Sequence, residues 1–490
     1  MKPSLIRRPH REPPHRENER GATMALVAVA MVAIIAMAAL SIDAITLYLA
    51  NAEAQRSADS AALAAARVIS LSGITGTAAT STQPIYWQQI CGVSGAATQT
   101  AQAVAAQNTV GGVGATVTVG YSTGPGVPGV ADCSTLTGSF AVNPLVVVKV
   151  QRTNLPTFFA RIWGKTGSSV SATAAAEGFN PSNSGTYVSG GIVPVQPRCV
   201  KPWLVPNYDP LNPPPNVDPN PPHNLIYCSN ASSCSPFADQ GSGSIINPGI
   251  SLGGTGSSGV IGEQLALIPD CTGKAGSCTL RNGQPIVNRA QSGTAPGPPN
   301  LEYLPGQVSQ PSVAVPADGT DACSEVVSNY AQAIAGCDQG TAYQCGVNKG
   351  NTVDLSENPR SGDTPNGVQC LIHQGTLGLG SLSGQDTLDV TNYPFQIKAG
   401  DNNPLNLTGN VITSSNSIVT VPIYDRNNTV NGSGTSTVTV VGFMQVFINS
   451  VDNNGNVNVT VLNVSGCSNS ATGTPIYGSS PVPVRLVTAP

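Results

Sequence analysis

The sequence predicts an α+β protein hung on a single N-terminal membrane helix, and three observations carry that expectation. Residues 22–50 form an apolar run whose one charge is Asp43. An alanine-rich stretch without Gly or Pro continues directly to Ser72. Beyond it, segments with the two-residue alternation of strands are separated by short helical patterns and by turn residues.

The apolar run exceeds the roughly 20 residues needed to cross a bilayer core. Lys2, Arg7, Arg8, Arg11, Arg16 and Arg20 precede it, whereas Glu53, Arg56 and Asp59 open the other side. The positive-inside bias therefore assigns residues 1–21 to a cytoplasmic tail, 22–50 to the transmembrane anchor, and everything after Ala50 to the exported side. A cleaved signal peptide has an apolar region of only about 7–15 residues. The small residues Ala36, Ala38, Ala39 and Ser41 leave cleavage as the alternative, and the retained anchor is preferred. Asp43 falls near the outer headgroup level, where a carboxylate in contact with water costs far less than at mid-membrane.

From Asn51 to Ser72 the chain is rich in Ala, the strongest helix former, so the membrane helix is expected to continue outward as one rod. Gln55, Asp59 and Leu63 fall on one face at four-residue spacing. Ala58, Ala61, Ala62 and Ala65 offer a smooth surface that suits close packing, onto the chain's own domain or onto another subunit. Residues 98–108 then read as helix, 115–121 and 143–151 as strands, 155–164 as a short helix between Pro156 and Gly164, and 168–177 as a strand. The expected core holds Val146, Val148, Val150, Phe158, Phe159 and Ile162. Residues 51–190 are thus read as a helical rod with an α+β domain.

Residues 191–224 hold a dense proline cluster and read as a linker or strap. Residues 225–410 read as a loop-rich, cysteine-containing region whose best helix spans 321–335, with Asp321 as its cap. Residues 411–490 read as antiparallel β: stretches 417–424, 435–449, 456–464 and 483–487 are rich in Val, Thr and Ile, with a turn at Asp452–Asn456.

Composition narrows the function. Only 10% of residues are charged and 5% aromatic, while Gly and Pro number 53 and 40, which points to many turns rather than a compact metabolic enzyme. After Gly73 there are 14 Lys and Arg against 20 Asp and Glu, with no basic stripe, so nucleic acid is not an expected partner. All 12 cysteines lie beyond the anchor, and an oxidising compartment would pair them. Cys228 with Cys234 and Cys271 with Cys278 are close enough to close small loops, though spacing does not prove pairing. Metal ligation would need tighter gaps or neighbouring histidines.

Several motifs tempt and are set aside. Gly254, Gly256 and Gly259 match a dinucleotide fingerprint without the strand and acidic residue it requires. His223 and His373 adjoin no nucleophile motif. Asp452–Asn456 could offer oxygen ligands to calcium but lacks a downstream bidentate Glu, and a hairpin turn already explains it. No catalytic residue, cofactor or metal is expected.

The string running from Arg20-Gly21 through Ile42-Asp43, Gln55, Ala58-Asp59 and Ala61 to Ala64 resembles the opening of the TadE/TadG-like family of Flp (tight adherence) pilus-assembly proteins. The resemblance continues more loosely through LPTFFARIWG and VSATAAAE. It implies a non-enzymatic component anchored in the bacterial inner membrane. Its implied partners are other pilus-assembly proteins, with self-association through the N-terminal helix, and Asp43, Gln55, Asp59, Ala61, Ala62 and Ala65 are the packing candidates. Prepilin-like members carry Glu five residues after the processing glycine, where this chain has Leu26. Many larger members carry a von Willebrand A metal site, yet Asp354-Leu355-Ser356-Glu357-Asn358 lacks its second serine. A surface adhesin is the alternative reading, and an exported hydrolase the third.

Overall fold

The computed structural model describes residues 18–72, 84–178, 195–210, 225–246, 260–269, 298–309, 321–375, 384–467 and 476–489, with short interruptions inside these ranges. The basic tail up to residue 17, the proline cluster at 213–222, His223, Gly254–Gly259, Cys271 and Cys278 lie outside the described residues.

The anchor and the rod are one helix, α1 (Asn18–Ser72), of 55 residues and about 80 Å at 1.5 Å per residue. With no Gly or Pro between Ala22 and Ser72, nothing in the backbone interrupts it. Its second half packs on α3 (Ala96–Gln107) and on strands β2 (Leu145–Pro156) and β3 (Gly167–Gly178). Together with β1 (Thr116–Ser122), these strands form an antiparallel sheet whose β2–β3 register sets Val146, Val148 and Val150 opposite Ala176, Ala174 and Ala172. Those residues share one core with Ala54, Ala58, Ala61, Ala62, Ala65 and Ala66 of α1. Alanine on the helix thus meets alanine on β3, and no large side chain holds the two apart. A short helix, α2 (Pro84–Cys91), is tied to the rest by the Cys91–Cys133 disulfide.

The segment 155–164 departs from the expected helix. β2 runs on to Pro156, and only Ala160–Trp163 form a single tight turn, closed by Gly164 at φ +81°. The strand uses up the first residues of the segment, and the left-handed Gly164 stops the turn after four, so no α-helix has room to form. Val146, Val148 and Val150 are fully buried as expected, but Phe158 and Ile162 are exposed and Phe159 is half-buried.

A closed six-stranded barrel forms the second core. Its strands follow the order Gln264–Pro269, Asn300–Pro305, Trp203–Pro206, Ile418–Tyr424, Val440–Val451 and Val457–Gly466, the last returning to the first. The last three make the antiparallel meander the sequence suggests. The first three come from stretches expected to be linker and loops, so the barrel draws on three regions that the sequence separates. Trp203, Leu204 and Val205 are completely buried, which a strap across the surface would not be. The β-branched residues that mark the three meander strands are nearly missing from the first three, and Trp203–Pro206 is hidden among prolines as well.

The helix expected over 321–335 breaks in two, Asp321–Ser324 and Asn329–Ala335. Ser328 caps the second piece, its Oγ accepting the Ala331 N–H at 3.0 Å. This local bond competes with a continuous helix through Val326 and Val327. The helix Thr364–Ile372 packs against it at Gly367, where a Cβ would lie 2.8 Å from the Ala331 carbonyl oxygen. Disulfides Cys199–Cys337, Cys323–Cys370 and Cys345–Cys467 tie these pieces to one another and to the barrel. Cys228 and Cys234 stand opposite each other in a hairpin register.

The strand Val484–Val487 does not join the C-terminal meander. It pairs antiparallel with β3 and completes the first sheet as its fourth strand. The barrel and its helices are therefore an insertion between two adjacent strands of the α/β domain.

Candidate functional site

The helix α1 divides into two chemically different halves. From Met24 to Leu40 its large apolar side chains are exposed around the whole circumference, with Met24, Val29 and Ile35 among them. Such a surface on a water-exposed helix would be an aggregation hazard, and the helix is long and apolar enough to cross a membrane. From Ala50 onward the alanine face turns into the α/β core.

Asp43 sits at the junction. Although it is on a helix that is otherwise exposed at this level, the residue is buried. Its Oδ1 accepts the Phe158 N–H at 2.9 Å, and its Oδ2 accepts those of Phe159 at 3.1 Å and Ala160 at 2.7 Å. A carboxylate gathering three successive backbone N–H groups is the arrangement of a helix N-cap, here supplied by a different element. It fastens the Phe158–Trp163 turn to the C-terminal end of the apolar segment.

Two further contacts lock the rod in place. Glu53 Oε2 accepts the Gly111 N–H at 2.7 Å, joining α1 to the turn before β1. At the far end, Asn463 of the barrel donates from Nδ2 to the Ser70 carbonyl at 2.7 Å. A groove of about 380 Å³ lies beside this second contact, lined by Val68 and Leu71 of α1, Ala96 of α3, and Phe395, Ile412 and Leu462. No acidic or basic side chain lines it, so it offers no group for acid–base chemistry.

The candidate packing residues separate into three environments. Asp43 is occupied by the turn. Gln55 and Asp59 are bonded to each other, Nε2 donating to Oδ1 at 2.8 Å, on the outside of the rod. Ala61, Ala62 and Ala65 have no exposed surface at all. Of the two packing targets that the alanine face allowed, the structure realises the chain's own sheet, which leaves those three residues no surface for another subunit.

The remaining sequence candidates take local roles. Asp452 turns its carboxylate inward, accepting the N–H groups of Asn454 and Asn456 and the Asn456 side-chain amide within its own hairpin. Asp354 accepts from the backbone and hydroxyl of Ser356. His373 ends the Thr364–Ile372 helix in a left-handed conformation and meets the Asn416 side chain at 3.1 Å. Among the described residues, no group of three or more His, Cys, Asp or Glu side chains is placed to hold a metal ion. Glu53, Asn463 and the backbone of 158–160 were not singled out by sequence reasoning, because each acts through a partner distant in the chain.

Residues 21–68 match the family model described as Flp pilus-assembly TadE/G-like, and residues 88–176 match a second described as Tad-like Flp pilus-assembly. No curated protein and no solved structure matches the chain significantly. The first match ends inside α1, and the second runs from α2 almost to the end of β3, so the two together cover most of the helix and the first three strands of the four-stranded sheet. Through this region, which spans under a third of its length, the chain is similar to TadE/TadG-like Flp pilus-assembly proteins.

Proposed function

We propose that the protein is a non-enzymatic component of Flp pilus assembly, held in the bacterial inner membrane by the first half of α1, with the α/β domain and the barrel on the outer side. The observation that carries this reading is the continuity of α1. One unbroken helix passes from a fully apolar, exposed half into a half buried in its own domain, so the domain is mounted rigidly on the anchor rather than tethered by a flexible linker. The exposed face from Met24 to Leu49, not the buried alanine face, is the surface on which other anchor helices would pack. Gln55 and Asp59 extend it just above the membrane.

Protease accessibility from each side of the membrane, combined with in-cell crosslinking through residues 23–49, tests this reading. A protected N-terminus, an exported remainder and recovery of pilus-assembly proteins are expected. A released or surface-displayed chain without those partners would instead establish the adhesin alternative.

A further inference from the structure

The turn that Asp43 holds is apolar on its outside. Phe158 is 59% and Ile162 75% exposed, although both lie in a family-matched domain with a well-filled core. Neither side chain covers a neighbouring element, and neither is required by the turn itself, whose geometry rests on backbone bonds and on Gly164. Arg161 between them is also exposed.

The height of this turn is fixed by α1. Thr23 and Asp43 are separated by 20 helical residues, about 30 Å along the axis, which equals the hydrocarbon thickness of a bilayer. With Thr23 at the inner boundary, Asp43 lies at the outer one. The three N–H bonds to its carboxylate hold Phe158, Phe159 and Ala160 at the same level. Just above on α1, Ile45, Tyr48 and Leu49 are exposed as well, and tyrosine is one of the two residue types enriched at the headgroup layer.

We propose that the Phe158–Trp163 turn is a second membrane contact, a foot that places Phe158 and Ile162 into the outer headgroup region of the bilayer that α1 spans. Arg161, between them, meets lipid phosphates. The inference rests on the membrane-anchor reading above. Two contacts side by side fix not only the height of the domain but also its rotation about the helix axis, which a single helix leaves free. Asp43 is a positioning residue in this device: its side chain is turned to the foot and does not itself meet lipid.

The test uses the full-length chain reconstituted into phosphatidylethanolamine–phosphatidylglycerol vesicles containing a diazirine-bearing phospholipid, with adducts mapped by peptide mass spectrometry after irradiation. Adducts are expected both on 23–42 and on the peptide carrying Phe158 and Ile162. The double variant Phe158→Asp with Ile162→Asp, which changes only exposed side chains, should lower adducts on the turn about tenfold and leave those on the helix unchanged. Asp43→Ala should likewise reduce turn adducts while sparing the helix. Labelling of the helix with none on the turn would overturn the foot and leave the anchor standing. Labelling of neither would overturn both. Protein–protein crosslinks from the turn to a second copy, in place of lipid adducts, would also overturn the foot.

Discussion

Arg485 Nε donates to Glu177 Oε1 at 2.6 Å, joining the last described strand to β3 across 308 residues of sequence. Glu177 is fully buried. Burial raises its carboxyl above the ordinary value of 4.5, and the adjacent guanidinium draws it only part of the way back. Arg485→Ala would strand a buried carboxyl without its partner and is expected to destabilise the α/β domain by about 3 kcal/mol. Replacing both, as Glu177→Gln with Arg485→Met, should recover most of that loss. Denaturant titration of the full chain in detergent measures each, and equal stability of the single and double variants would show that the pair is not coupled.

Leucine at Ala61, Ala62 or Ala65 should destabilise the fold itself. Each position is closed off against the sheet, and overfilling a packed site typically costs about 1–3 kcal/mol. The expected readout is a lowered denaturation midpoint for each single variant. The same change at the exposed Gln55 or the half-buried Asp59, on the outside of the rod, should leave the midpoint within about 0.5 kcal/mol of the parent.

A buried lysine and a half-buried glutamate give the barrel region opposite pH responses. Lys201 donates from Nζ to the carbonyls of Ile334 and Gly336 at 2.6 Å each, and burial lowers its pKa from 10.5 to about 7. Between these values the unfolded chain holds the extra proton, so this group makes stability rise with pH. Glu263 behaves in reverse: burial, with Asp209 beside it, raises its pKa from 4.5 to about 8. There the folded state holds the proton, and stability falls as pH rises through that window. Lys201→Met should remove the rise between pH 7 and 10.5, and Glu263→Gln the fall between 4.5 and 8. Midpoints measured across pH 5–10 separate the two, and an unaltered profile in either variant would exclude the assignment.

The Cys345–Cys467 disulfide closes a span of 122 residues, for which loop entropy alone gives about 5 kcal/mol of stabilisation. Serine at both positions should lower barrel stability by about 2–5 kcal/mol. The Cys91–Cys133 pair, spanning 42 residues, lies in the other core. Its removal should loosen the aromatic contact of Trp87 with Phe140 and leave the barrel midpoint unchanged. Hydrogen exchange resolved by region distinguishes these outcomes.

The parts of the fold that were legible are those whose signal is local. The alanine run that makes α1, and the valines of β2 and of Val440–Val451, announce their own geometry. Asp43 stood out as a charge in an apolar run, yet its role did not, because the N–H groups it binds lie 115 to 117 residues away. Trp203–Pro206 was hidden for a different reason: four residues are too few to show a period, and prolines on either side suggest an extended strap. Phe158 and Ile162 read as core because hydrophobicity alone does not say whether a side chain is turned inward or left exposed.

The insertion of the barrel between β3 and Val484–Val487 constrains the order of events during synthesis. β1 to β3 leave the ribosome early, but the strand that completes their sheet follows only after all of 179–483 has been made. Until then, β3 presents an open edge carrying the unpaired Glu177. Val484–Val487 thus acts as a completion signal, closing the sheet beside α1 only on molecules whose inserted barrel has already been translated.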